Sequence, residues 1–275
     1  MQKTRITFLG AGNMGRSLIG GLIANGYPAD LLCAADPNAQ QRQGLASLFN
    51  MSVYEDNLQA VAEAEVVVLA VKPQAVHDTI VSIADKLNEN NPLLISVAAG
   101  VRLSAISRSA GRALPVIRVM PNTPALIQSG AAALFANEQV KPRQLDLAEA
   151  IMRSVGIAIW LDDEAKLDAV TAVSGSGPAY FFFLMEAMEQ AAIEQGIDAE
   201  QARLLVQETA LGAAKMARES KFSAAELRRQ VSSPGGTTES AIKLMQEADF
   251  TDLVAQAIDA AGTRSRQLAD EFEKD

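Results

Sequence analysis

Residues Arg5 to Gly15 read RITFLGAGNMG, and they restrict the fold more than any other stretch of the chain. An apolar, β-favouring run, Ile6 to Leu9, enters Gly10-Ala11-Gly12-Asn13-Met14-Gly15, and a helical pattern follows from Arg16 to Ala24. Strand, glycine turn and helix in that order form the dinucleotide-binding fingerprint. Gly10 permits the tight turn, Gly12 lets the backbone approach a pyrophosphate, and Gly15 lets helix pack closely on strand. A second expected strand, Leu31 to Ala35, ends at Asp36. That lies about twenty residues beyond the glycines, where a carboxylate accepts from a ribose 2′-OH.

Strand and helix patterns alternate over the next 120 residues or so. Strands are expected at Val66 to Val71, Leu93 to Val97, Val116 to Met120, Ala131 to Phe135 and Ile157 to Leu161, with helices at Pro37 to Phe49, Gln74 to Leu87 and Pro142 to Arg153. Continuous apolar strands of this kind belong to a parallel sheet covered on both faces. The last strands are joined by short connections, so that edge is expected to be mixed. After Asp163 only helical patterns remain: Glu164 to Val173, Pro178 to Gln195, Ala199 to Ser220, Ser223 to Gln230, Thr237 to Glu247 and Thr251 to Phe272. The expected domains are therefore residues 1–162, α/β, and 163–275, all-α. Tyr180 to Met185 with Met188 crowd two turns with apolar side chains, and such a helix needs partners on all sides. Interleaving of subunits is the expected outcome.

The 275 residues are about half apolar, enough for a globular core in two domains. The net charge of −9 disfavours nucleic acid as a partner. Prolines and glycines interrupt the longest uncharged runs, so no membrane span is expected. The amino-terminal residues enter a strand almost at once and are read as lacking a signal-peptide core. Cys33 is the single cysteine and is read as a small core residue, which fits a cytoplasmic protein.

Val231 to Lys243 reads VSSPGGTTESAIK. Glycines and a proline run into a helix whose first N–H groups and dipole suit a small anion such as a carboxylate. An ordinary cap, with Ser233 or Thr237 as N-cap, explains the same residues. Elsewhere, Lys72 follows the third expected strand at the edge where a coenzyme crosses an open α/β sheet. Val97-Ala98-Ala99-Gly100 ends the fourth with small residues, and Asn57 is either an N-cap or an adenosine contact. Met120-Pro121-Asn122-Thr123-Pro124 is a rigid polar loop, read as a nicotinamide wall or a structural turn. His77 is the sole histidine, which excludes a His-built metal site, and no metal is expected.

These features bear on the reaction. The lone histidine makes a His-dependent hydroxyacid dehydrogenase hard to place. After Ser174-Gly175-Ser176-Gly177 the chain reads PAYFFFLMEAMEQ, without the lysine that hydroxyacid dehydrogenases with a similar amino-terminal motif carry there. Hydride chemistry, an anion cradle and small hydroxyls without a strong general acid suit reduction of a C=N bond better than of a ketone. A protonated imine is already an electrophile, so it chiefly needs positioning and exclusion of water.

The segments FLGAGNMG, LAVKPQ, SVAAG, RVMPNTPA, VSGSGPAYFF and VSSPGGTTESAI together resemble pyrroline-5-carboxylate reductases over essentially the whole chain. The resemblance implies a Rossmann-like amino-terminal domain, an all-α carboxyl-terminal dimerisation domain that intertwines with a partner copy, and a decamer of five dimers. It implies NAD(P)H-dependent reduction of 1-pyrroline-5-carboxylate to L-proline. It places the substrate at Ser232, Ser233, Gly235, Gly236, Thr237 and Thr238, with Thr238 hydrogen-bonding the ring nitrogen. Coenzyme contacts fall at Leu9, Gly10, Ala11, Gly12, Asn13, Met14, Asn57, Ala70, Val71, Lys72, Pro73, Val97, Ala98 and Ala99, to which the fingerprint adds Asp36. Asp36 accepts from a 2′-OH and repels a 2′-phosphate, while Arg42 further along could receive one, so NADH and NADPH both stay open. A related cyclic imine or short-chain hydroxyacid oxidoreductase, or a non-catalytic dinucleotide sensor, are the alternative readings.

Overall fold

The computed structural model describes residues 3–273. Buried on both faces, Ile6–Leu9 forms strand β1 and leads through the glycine turn into helix α1, Asn13–Ala24. The chain continues as β2 (Leu32–Ala35), α2 (Ala39–Phe49), β3 (Ser52–Tyr54), α3 (Asn57–Val61) and β4 (Val66–Leu69). Next come α4 (Val76–Asn90), β5 (Leu93–Ser96), α5 (Leu103–Ala110), β6 (Val116–Met120), β7 (Gly130–Ala136), α6 (Pro142–Arg153) and β8 (Gly156–Trp160). The remainder is helical: α7 (Lys166–Val170), α8 (Gly177–Glu194), α9 (Ala199–Glu219), α10 (Ala224–Gln230), α11 (Thr237–Glu247) and α12 (Phe250–Phe272).

The strands form one sheet in the order β3-β2-β1-β4-β5-β6-β7-β8. The first six run parallel, β7 runs antiparallel to β6, and β8 is parallel to β7, so the far edge is mixed as its short connections require. One face carries a core of Phe8, Leu18, Leu22, Ile95, Ile151 and Met152. The other buries Val67, Leu69, Ile80, Ile83, Leu87 and Ile106. Helices on both faces explain why the central strands read as unbroken apolar runs.

Several elements differ from the sequence reading. β4 and β5 leave the sheet at Leu69 and Ser96, so Ala70–Val71 and Val97 lie in the loops that follow. β3 and α5 were not expected, whereas α3 is the short helix expected between Asn57 and the strand at Val66. Three residues of edge strand are too short for periodicity to register, and three serines in eight residues weaken the helical signal of α5. The expected helix from Glu164 to Val173 is α7 followed by a π-helical turn, Thr171–Gly175. Cys33 is half-buried; its thiol lies against Thr7 Oγ1 and the Ala60 carbonyl, and burial raises its pKa, which disfavours the nucleophilic thiolate.

The chain divides into two compact units. The first extends to Ser176 and takes up the segment from Ala260 onward; the second is Gly177–Asp259. Sequence character changes at 162/163, where the strands end. The first unit reaches further because its last helices are tied back: Arg118 pairs with Glu164 at 2.6 Å, and Ser265 donates to Asp168 at 2.6 Å. In the second unit Ala202 and Val206 are buried. Phe181, Phe182 and Phe183 on α8, however, are 65%, 64% and 73% exposed in the single chain. Among the described residues no helix is long and apolar enough to cross a membrane.

Candidate functional site

The first unit gathers one group of residues at the carboxyl ends of β1, β2, β4 and β5. Gly10 has φ +102°, and a Cβ there would lie 2.5 Å from the Ala70 carbonyl oxygen. Gly15 is equally restricted, since its Cβ would meet Gly10 O at 2.4 Å. The crossing is tied by Gly10 N–H to Ala35 O (2.8 Å), Ala70 N–H to Leu9 O (2.7 Å) and Val97 N–H to Leu69 O (3.1 Å). Leu9 to Met14, Asp36, Ala70 to Pro73 and Val97 to Ala99 therefore follow neighbouring strands at one sheet edge. Gly12 is different: no atom lies within 4 Å of where its Cβ would be. It caps α1 without a side-chain hydrogen bond.

Asp36 lies just after β2. Its Oδ2 accepts from Ala11 N and its Oδ1 from Asn38 N, both at 2.8 Å. Arg42 folds back from α2, donating to the carbonyls of Asp36 (2.8 Å) and Pro37 (2.9 Å) and to Glu55 Oε2 (2.8 Å). Asn57 is the first residue of α3, and Asp56 caps that helix by accepting from Leu58 N at 2.9 Å. The N-cap reading of Asn57 is thus corrected. Lys72 is exposed, just ahead of the turn that Pro73 starts.

Asn122 is occupied structurally. Its side chain donates to Ser174 O at 3.0 Å and accepts from Ala131 N at 2.8 Å, which fits the turn reading of this loop. His77 is exposed, with Nδ1 2.9 Å from Ser109 Oγ.

In the second unit, residues 231–236 join α10 to α11. Ser232 donates its hydroxyl to Arg228 O at 2.7 Å. Gly235 has φ +72°, a backbone that glycine adopts without strain. The N-cap of α11 is Gly236, without a side-chain cap, which corrects the reading of Ser233 or Thr237 in that role. Glu239 instead reaches back from the first turn, its Oε2 accepting from Gly235 N at 2.7 Å. Sequence reasoning missed this contact, although an acid three residues after an N-cap is its usual sign. Thr238 is half-buried, in the first turn of α11.

A six-stranded core in the order 3-2-1-4-5-6, with a glycine turn where the strand order reverses, defines the dinucleotide-binding α/β oxidoreductases. Consistent with that class, residues 5–100 match the family described as NADP oxidoreductase, coenzyme F420-dependent. Residues 164–268 match the family described as pyrroline-5-carboxylate reductase dimerisation. The chain is 52% identical to a pyrroline-5-carboxylate reductase of Pseudomonas aeruginosa over 99% of both chains. A solved pyrroline-5-carboxylate reductase of Coxiella burnetii superimposes with a TM-score of 0.93 at 42% identity, covering 98% of this chain and 99% of that one. The Plasmodium falciparum pyrroline carboxylate reductase, solved with NADP bound, gives a TM-score of 0.86 at 27% identity over 98% and 99% of the two chains. The chain belongs to the pyrroline-5-carboxylate reductase family.

Proposed function

We propose that this chain reduces 1-pyrroline-5-carboxylate to L-proline with NADH or NADPH. The observation that carries the reading is the 52% identity to the Pseudomonas aeruginosa reductase from end to end. Neither another imine or hydroxyacid oxidoreductase nor a dinucleotide sensor has comparable support.

In this reading Leu9 to Met14, Asp36, Asn57, Ala70 to Pro73 and Val97 to Ala99 hold the coenzyme. The open space over Gly12 and the uncapped start of α1 fit a pyrophosphate, which takes backbone N–H groups and a positive helix end. Asp36 presents a carboxylate for a ribose hydroxyl. When bound, the coenzyme supplies the hydride that turns C=N into CH–NH. Ser232, Ser233, Gly235, Gly236 and Thr237 receive the substrate carboxylate, supported by the start of α11, where the N-cap Gly236 offers no side chain and Glu239 holds the N–H of Gly235 alone. Thr238 orients the ring nitrogen through its hydroxyl. Because a protonated C=N is already electrophilic, binding and orientation account for most of what these residues must do.

Self-association goes with the family, and the exposed aromatic run of α8 supports it. In this reading the partner copy intertwines with the helical segment, the dimers assemble further into a decamer, and the protein works in the cytoplasm. The decamer rests on the family resemblance; light scattering on the purified chain tests it. The activity is tested by following NADH and NADPH oxidation with pyrroline-5-carboxylate. Turnover with at least one coenzyme is expected, and its absence with both overturns the reading.

A further inference from the structure

Arg42 is the one nearby cation that the sequence reading offered to a 2′-phosphate, and it is already engaged. Its Nη1 donates to the carbonyls of Asp36 and Pro37, and its Nη2 to Glu55 Oε2 at 2.8 Å. The Arg42 side chain is only 19% exposed, whereas Glu55 is 75% exposed. An arginine that grips a phosphate presents two parallel N–H groups from a free edge of its guanidinium. Here both terminal nitrogens have acceptors, and the Glu55 carboxylate offsets the charge. With Asp36 beside them, the three groups carry one net negative charge facing the place where the ribose 2′ substituent is read. A phosphate monoester there brings about −1.5 to −2 more.

We propose that Glu55 is a coenzyme-specificity residue: by clamping Arg42 it turns the site toward a dinucleotide with a free 2′-OH. This rests on the reading of the β1–β2 edge as the coenzyme site. Glu55 selects through Arg42, which it keeps from turning its fork outward. It follows β3 directly and meets Arg42, in the first half of α2, at 2.8 Å. Asp36 adds the acceptor for the hydroxyl; Glu55 removes the donor for the phosphate.

The test needs no turnover. Calorimetric titration of the purified full chain with 5′-AMP and with 2′,5′-ADP, at fixed low ionic strength, reads the 2′ preference directly. Wild type is expected to bind 5′-AMP the more tightly. Glu55→Gln, at an exposed position that tolerates exchange, is expected to strengthen 2′,5′-ADP binding on the order of tenfold and to leave 5′-AMP within about twofold. Adding Arg42→Ala to that variant should abolish the gain. An unchanged ratio in Glu55→Gln, a wild type that already prefers 2′,5′-ADP, or a gain that survives without Arg42 each overturns the proposal. If wild type binds neither nucleotide, the coenzyme reading of this edge falls as well, which separates that failure from failure of the clamp alone.

Discussion

Asp36 Oδ2 accepts the backbone N–H of Ala11 at 2.8 Å, so the residue just after β2 is latched to the turn that follows β1. Its other oxygen accepts from Asn38 N. Each carboxylate oxygen has a second lone pair, so both bonds leave room for a ribose hydroxyl. The latch also ties the glycine turn, so in the proposed reading Asp36 has two tasks.

Asp36→Ala should therefore raise the Michaelis constant for NADH, on the order of tenfold, through loss of the hydroxyl acceptor and the latch. The constant for NADPH should improve relative to it, because a carboxylate no longer repels the 2′-phosphate. Steady-state kinetics with both coenzymes measures the ratio. A ratio equal to that of wild type would show that Asp36 does not line the ribose.

Phe183 on α8 is 73% exposed in the single chain, and Phe181 and Phe182 beside it are nearly as open. Burying one such side chain contributes about 1.5–3 kcal/mol, and a twofold interface buries it twice. Phe183→Glu is expected to weaken self-association by on the order of a hundredfold or more. Sedimentation velocity over a concentration series reads this, with helicity by circular dichroism as the check on folding. A variant that sediments as wild type would place the interface elsewhere.

Glu273 ties the residue after α12 to α5. It accepts from the Ser104 hydroxyl and from Arg108 Nη1 at 3.0 Å, and Arg108 Nη2 donates to its carbonyl at 2.9 Å. The Ser104 hydrogen bond first, and then Arg108, hold its carboxyl below the usual glutamate range. A carboxyl depressed in the folded state stabilises above its unfolded value of about 4.3, and that contribution is lost as pH falls through the folded value. Arg108 is half exposed, so the gain is small. Glu273→Gln should lower Tm by about 1–3 °C at neutral pH and converge with wild type below about pH 4. Thermal melts across that range decide it, since a gap that persists in acid belongs to packing and not to charge.

Much of this was legible in one dimension. β1, β6, α6 and α11 begin and end at the residues that the pattern marks, because each is bounded by glycine, proline or a change of period. The elements that were not legible owe their existence to neighbours. β3 is a strand because Cys33, Ala34 and Ala35 pair with Ser52, Val53 and Tyr54. The glycine turn and Asp36 could be placed from spacing alone, yet the latch to Ala11 depends on the register of β1 on β2. In the same way Arg42 looked free in sequence, and only the fold brings Glu55 to it. Spacing finds residues; register and chain return decide which of their hydrogen-bonding groups remain available.

In the proposed reading, the loop before α11 and the first turn of that helix separate binding from orientation. Thr238 sits in the first turn of a helix whose N-cap, Gly236, offers no side chain. Thr238→Ala removes one hydroxyl and should lower kcat about tenfold, the usual cost of one orienting hydrogen bond, with the fold intact. The loss should stay moderate, since water can still deliver a proton to the ring nitrogen. Gly236 acts through space. Its φ of −87° suits any residue, but a Cβ there would lie 3.0 Å from Ser233 O and cover the N–H groups that a carboxylate would approach. Gly236→Val should therefore raise KM for pyrroline-5-carboxylate far more than it lowers kcat. Steady-state kinetics on the two variants, with melting curves as controls, tells the roles apart. If folded Thr238→Ala matches wild type in both constants, its hydroxyl plays no part in the reaction, and the ring nitrogen is oriented by another group.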